Sequence, residues 1–280
     1  MKNAKKTLRT FVRNRNLLIG TAMILLVVLA ALFADWIAPY GYDEANLDVP
    51  LCPPCGAYPF GTDEFGRDMF SRVIYGSRIA LRVALLAAAI EIVLGVSIGM
   101  LSGYYGGGVD RVLSFLADLT WSMPPIIMSM AVITVLGKGL DNVIIAIAVV
   151  SWAQYARIVR AKTQALKNMA FVETGIAFNE TDGAIMFRYI LPNIVPSIIV
   201  LASLSIPATI MSTTALSFLG LGAQPPSPDW GLALSSSMKN ISNAPWLAVY
   251  PGLALVFTVF GFNLFGEGLR DILDPRLKSR

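Results

Sequence analysis

Glu91 and Asp118 are carboxylates placed inside long apolar stretches of the chain. Burying an ionisable group unpaired in hydrocarbon is costly, so each is a candidate for proton or ion handling along a membrane pathway. Each fits equally a polar contact between helices or across a subunit interface, and residue type alone leaves both readings open. A second reactive pair, Cys52 and Cys55, forms a CPPC string. A thioredoxin-like site needs a surrounding βαβ fold that a short loop does not supply, and tetrahedral zinc needs ligands that the neighbouring sequence lacks. A local disulfide in an oxidising compartment and a pair of unpaired thiols remain.

Other chemistries fall away on composition. The chain has no histidine, which removes hydrolase triads, HExxH metal sites and imidazole proton relays. It has no GxxxxGK[ST] loop: Gly106, Gly107 and Gly108 lead into Val109 and Asp110 with no lysine to reach a phosphate. No catalytic residue, metal site or cofactor is assigned to this chain, and any nucleotide must bind another one.

The elements that position these groups are membrane spans. Of 280 residues, 55% are hydrophobic and 14% charged, with mean hydropathy +0.64; soluble domains run at about 45–50% apolar and about 25% charged. Six segments can cross about 30 Å of hydrocarbon, and the expected fold is an all-α polytopic membrane protein. The spans are Leu17 to Ala38, Ile79 to Tyr104, Val112 to Leu136, Val143 to Val159, Ile194 to Gly220 and Trp246 to Phe265. The first is too long for a cleavable signal, and Trp36 and Tyr40 sit where interfacial anchors belong.

Lysine and arginine placement orients the spans: 16 of the 22 basic residues fall in the N-terminal tail, at Arg111, in the segment entered at Arg157, and at the C-terminal end. The positive-inside rule puts these in the cytoplasm and both termini with them. The expected organisation is a cytoplasmic tail over 1–16, a first helix over 17–38, an extracytoplasmic loop over 39–78, a five-helix core over 79–269 and a cytoplasmic tail over 270–280. The acids Asp43, Glu44, Asp48, Asp63, Glu64 and Asp68 gather in the outer loop. The net charge of +4 is thus a topology signal, with no soluble basic face for nucleic acid. Pro124, Pro125 and Pro207 should bend or break their helices and mark pathway walls, although such kinks also occur without a transport role. Gly95, Gly99 and Gly103 form a GxxxGxxxG ladder for close helix packing.

Between the fourth and fifth spans, residues 160–193 read RAKTQALKNMAFVETGIAFNETDGAIMFRYILPN, a polar insertion in an apolar chain. Its FVETGIAFNETDGAIMFRYILPN resembles the EAAxxxG...LP signature of membrane permease subunits of binding-protein-dependent ABC importers. GTDEFGRDMFSRVIYGSR, GYYGGGVDR, WAQYARIVRA, LSFLGLGAQPPSPDWG and FNLFGEGLRDILDPRL are similar to the second, C-type permease of the dipeptide, oligopeptide and nickel importers. The resemblance implies the six-span type I, MetI-like fold in a prokaryotic inner membrane. It also implies four partners beside the bilayer: a homologous second permease, two ATPases that hold ATP and magnesium, and an extracytoplasmic substrate-binding protein.

In that setting residues 160–193 couple the spans to an ATPase. Phe171 and Val172 are expected to give apolar anchoring, Glu173 a charged or capping contact, and Leu191-Pro192 a stop before the fifth span. The chain departs from the signature at Thr174 and Gly175, where alanines stand, and at Asn179, where a glycine stands. Asparagine is the next best residue for a left-handed cap, so the turn is expected to persist. Thr174 and Gly175 together lower helix propensity by about 1 kcal/mol or more, which points to a helix ordered mainly by docking. Asp63, Glu64 and Asp68 make the outer loop a docking surface for the binding protein, with a passive cover as the alternative. A proton-coupled carrier using Glu91 or Asp118 is disfavoured because no inverted repeat is evident, and a channel because no filter motif appears. GAQPPSPDWG resembles the peptide branch, while GKGLDNVIIAIAVVSWAQYARIVR also resembles the nickel or metallophore branch; short peptides are the preferred cargo.

Overall fold

In hydrocarbon every backbone polar group must be satisfied within the protein, and long helices do this within one segment. The computed structural model describes residues 14–273, so most of both basic tails, 1–13 and 274–280, lies outside the described residues. The order is α1 (Arg15–Leu32), a turn α2 (Ala34–Ile37), α3 (Met69–Tyr105), α4 (Gly107–Trp121), α5 (Pro125–Leu136) and α6 (Leu140–Lys167). There follow α7 (Ala170–Ala177), a turn α8 (Asp182–Ala184), a π-helical stretch (Ile185–Ile190), α9 (Leu191–Phe218), α10 (Trp230–Ser237) and α11 (Trp246–Leu273).

Among the described residues five helical segments are long and apolar enough to cross a membrane, and α4 and α5, meeting at a 93° bend, make a sixth when counted as one broken span. The break falls at Pro124 and Pro125, as their missing N–H groups require. Pro207 does not end its helix: it is buried within α9, which runs unbroken to Phe218. Several boundaries move outward from the hydropathy limits, two of them instructively. α3 starts at Met69, ten residues before Ile79, capped by Asp68, whose Oδ2 accepts the Ser71 N–H at 2.8 Å. α6 runs past Val159 through the basic residues to Lys167, because hydropathy marks the edge of hydrocarbon and not the last backbone bond.

The glycine ladder is where α3 lies on α6. A Cβ at Gly99 would sit 2.6 Å from the Ala156 carbonyl oxygen, and one at Gly103 would sit 2.7 Å from that of Arg160. Only the absence of a side chain lets the backbones approach this closely. α1 packs on α11 in the same way, with Gly20 against the Gly261 carbonyl. Asn14, ahead of α1, donates to Asp271 in the last turn of α11 at 3.3 Å, so the start of α1 meets the end of α11. α4 and α5 stay at the periphery, with only Ala117, Ser129 and Ile133 buried.

Candidate functional site

The polar insertion folds into a capped arm. α6 ends at Lys167, and the Met169 carbonyl starts α7 by accepting from Val172 and Glu173 at 2.8 and 3.1 Å. Thr174 turns its hydroxyl back to the Ala170 carbonyl at 2.8 Å, which keeps its side chain from competing for other backbone. Asn179 adopts φ +58°. Its N–H donates to Ile176 at 2.9 Å and that of Glu180 to Gly175 at 3.1 Å, the paired bonds of a Schellman cap. The expected left-handed turn is therefore present with asparagine in the place of glycine.

Two residues of this arm do other work than the sequence suggests. Val172 is fully buried, in one cluster with Val159, Ile185 and Ile190, so it fixes α7 to its own chain instead of to a partner. Leu191-Pro192 does not stop the chain. The helical path opens earlier, at Thr181, whose hydroxyl accepts the Ala184 N–H, and passes through the π-helical stretch into α9. Pro192 sits inside this continuous path, directly after the π-helical stretch. What α7 presents outward is Phe171, Glu173 and Ile176, followed by Phe178, which is 78% exposed. Ile176 and Phe178 were missed from sequence; it is the burial of Val172 and Gly175, three apart in the structure, that turns their neighbours to the surface.

Above α7 the helix ends are clamped. Arg160 on α6 holds Asp110 on α4, with Nη2 2.7 Å from Oδ2, and Asp110 also accepts from Ser102 and Ser114. The Tyr104 hydroxyl donates to Asp182 at 2.9 Å, joining the end of α3 to α8. Asp118 is exposed in this chain and pairs with Arg157 on α6 at 2.7 Å, a contact between helices.

Glu91 differs. It is 0% exposed and borders a cavity of about 360 Å³ that reaches Trp121 and Pro125 at the broken span, Ser151 and Gln154 on α6, and Ser205 and Thr209 on α9. Pro125 thus does form a wall of this space, whereas Pro124 and Pro207 do not border it.

On the opposite face, two of the three docking acids are consumed internally. Asp63 accepts the N–H groups of Phe65 and Arg67 at 2.9 and 3.0 Å and pairs with the Arg67 side chain at 2.7 Å. Asp68 is the buried cap of α3. Only Glu64 is exposed. Buried Arg72 staples the loop to the chain before α10 by donating to Tyr42 and Ser227 at 2.7 and 3.0 Å. Cys52 and Cys55 are free thiols, without the bridge that sequence left open. Cys52 is pinned through its N–H to the Thr62 hydroxyl at 2.8 Å. Burial pushes its thiol up, while a backbone hydrogen bond from Tyr58 holds the Cys55 thiol down.

Comparison with known proteins gives the same architecture a lineage. The family described as binding-protein-dependent transport system inner membrane component matches residues 95–279, and the N-terminal TM domain of oligopeptide transport permease C matches residues 4–54. A dipeptide transport system permease protein DppC of Alkalihalophilus pseudofirmus is 39% identical, with 95% of this chain and 88% of that one aligned. A glutathione transport system permease protein GsiD of Escherichia coli O6:K15:H31 is 42% identical over 97% and 90%. Among solved structures, the inward-facing MetNI methionine ABC transporter superposes with a TM-score of 0.59 at 20% identity, covering 73% of this chain and 97% of that one. An amino acid ABC transporter solved with histidines gives 0.52 at 16%, over 75% and 95%.

Proposed function

Because this chain belongs to the family of binding-protein-dependent transport system inner membrane components, a family of transport permeases, we propose that it forms half of the pathway of an ATP-driven importer for short peptides. It is a multi-pass inner-membrane permease with the MetI-like fold. On this reading its partners are a homologous second permease, two ATPases that bind ATP and magnesium, and an extracytoplasmic binding protein. Chemistry on ATP belongs to the ATPases, and this chain transmits motion.

The observation that carries the coupling role is α7: rigidly capped at Asn179, fixed inward by Val172, and apolar outward at Phe171, Ile176 and Phe178. A groove on an ATPase can close over such a surface. Displacement of α7 then passes through Val172 to the cluster it shares with α3, α6 and α9, and so to the helices around Glu91. The peptide class is supported by relatives named for dipeptide and glutathione transport. It is tested by isolating the binding protein of the same complex and identifying its cargo by mass spectrometry; a short peptide supports the reading, and a metal chelate overturns the substrate class.

A further inference from the structure

We propose that the cavity at Glu91 is a subsite for the free ammonium group of the cargo, an inference that rests on the peptide reading above. Its volume of about 360 Å³ lies within the range of small-ligand pockets, about 300–1,000 Å³. Its lining alternates apolar side chains with the hydroxyl and amide groups of Ser151, Gln154, Ser205, Thr209 and Ser212, and Glu91 is its one ionisable group.

That carboxylate is underserved by its own chain. Oε2 has no hydrogen-bond partner. Oε1 has only the Thr209 hydroxyl at 3.5 Å, and the single proton of that hydroxyl has the Ser205 carbonyl closer, at 3.2 Å. The nearby Tyr155 hydroxyl is engaged with Ser205 at 2.6 Å. Among the described residues no lysine or arginine lines the cavity; Arg157, which lies over the ring of Trp121 at its edge, is paired with Asp118 at 2.7 Å. A buried carboxylate with an open oxygen, no counter-charge and polar neighbours is complementary to a cation that arrives from outside. A primary ammonium brings three donors, enough for Glu91 and for the oxygens of Ser151 or Gln154, which line the same cavity.

The test uses the complete complex of both permeases, both ATPases and the binding protein in liposomes, with radiolabelled dialanine saturating the binding protein. Loss of a charge-assisted pair is expected to slow ATP-driven uptake about ten-fold in Glu91→Gln, with most of the rate kept in Glu91→Asp. Gln154→Lys places an internal ammonium in the same cavity. Gln154 is exposed, so this variant is independent of whether Glu91→Gln assembles, and it is expected to lose about as much. An assembled Glu91→Gln or Gln154→Lys complex that carries dialanine at the native rate overturns the subsite and leaves the peptide reading in place. A native complex that carries neither dialanine nor glutathione overturns the peptide reading and the subsite together.

Discussion

Arg160 grips Asp110 through both carboxylate oxygens, with Nη2 2.7 Å from Oδ2, and so ties the first turn of α4 to α6 just before α6 leads into α7. Ser102 of α3 donates to the same carboxylate, so three helices converge on one group. The clamp joins the start of the broken span to the glycine-packed pair α3 and α6. On the coupling reading, motion of α7 reaches the spans through this junction.

Breaking the clamp should therefore weaken coupling more than folding. Asp110→Asn is expected to cost about 1 kcal/mol of stability, because the pair is partly solvent-screened. Its effect on cargo-stimulated ATP hydrolysis should be larger, with the ATPases still bound. Exchanging the charges, Asp110→Arg with Arg160→Asp, should restore part of the stimulation. Equal stimulation in native and Asp110→Asn complexes would remove the clamp from the account.

Asn179 holds a left-handed backbone at φ +58°. Asn179→Gly should leave α7 intact, whereas Asn179→Ala should cost about 1 kcal/mol and speed amide exchange over 170–178 about five-fold. Equal exchange in the two variants would mean that the cap is unimportant.

Where α3 meets α6, the tolerance is steric. Gly99→Leu places a side chain where a Cβ alone would already lie 2.6 Å from the Ala156 carbonyl oxygen. Overpacking of this kind costs at least about 3 kcal/mol, and monodisperse protein should be lost on size-exclusion chromatography in detergent. Normal yield and melting of that variant would contradict the close packing.

The two outer thiols should differ in reactivity. Backbone hydrogen bonding from Tyr58 and Ala57 lowers the Cys55 thiol below its ordinary value, and burial raises that of Cys52. Only the thiolate alkylates, so as pH rises Cys55 should react with iodoacetamide first, and Cys52 should follow at higher pH. Peptide mapping after brief labelling at neutral pH checks the order; faster labelling of Cys52 would reverse it.

Much of the architecture was legible because hydrocarbon imposes simple rules. Span number, the break at Pro124 and Pro125, the glycine ladder and the turn at Asn179 each follow from a local constraint that residue type reveals. What escaped depended on partners distant in sequence. Asp118 looked buried, yet it reaches Arg157, 39 residues away. Asp63 and Asp68 looked like a charged surface, yet backbone N–H groups turned both inward. Val172 looked like a docking residue until Val159 and Ile190 enclosed it, which left Ile176 and Phe178 as the outward surface. A linear pattern does not say which apolar residue of a short helix its own chain will cover.

On the proposed reading α7 is the handle by which an ATPase drives this permease. Its most direct test is ATP-driven uptake by the reconstituted complex carrying Ile176→Glu with Phe178→Glu, measured beside co-purification of the ATPases. The account predicts that the two permeases still assemble, that the ATPases are lost from them, and that uptake falls about ten-fold or more. Retained ATPases with native uptake in that variant, or uptake by the permeases alone that a protonophore abolishes, would contradict it.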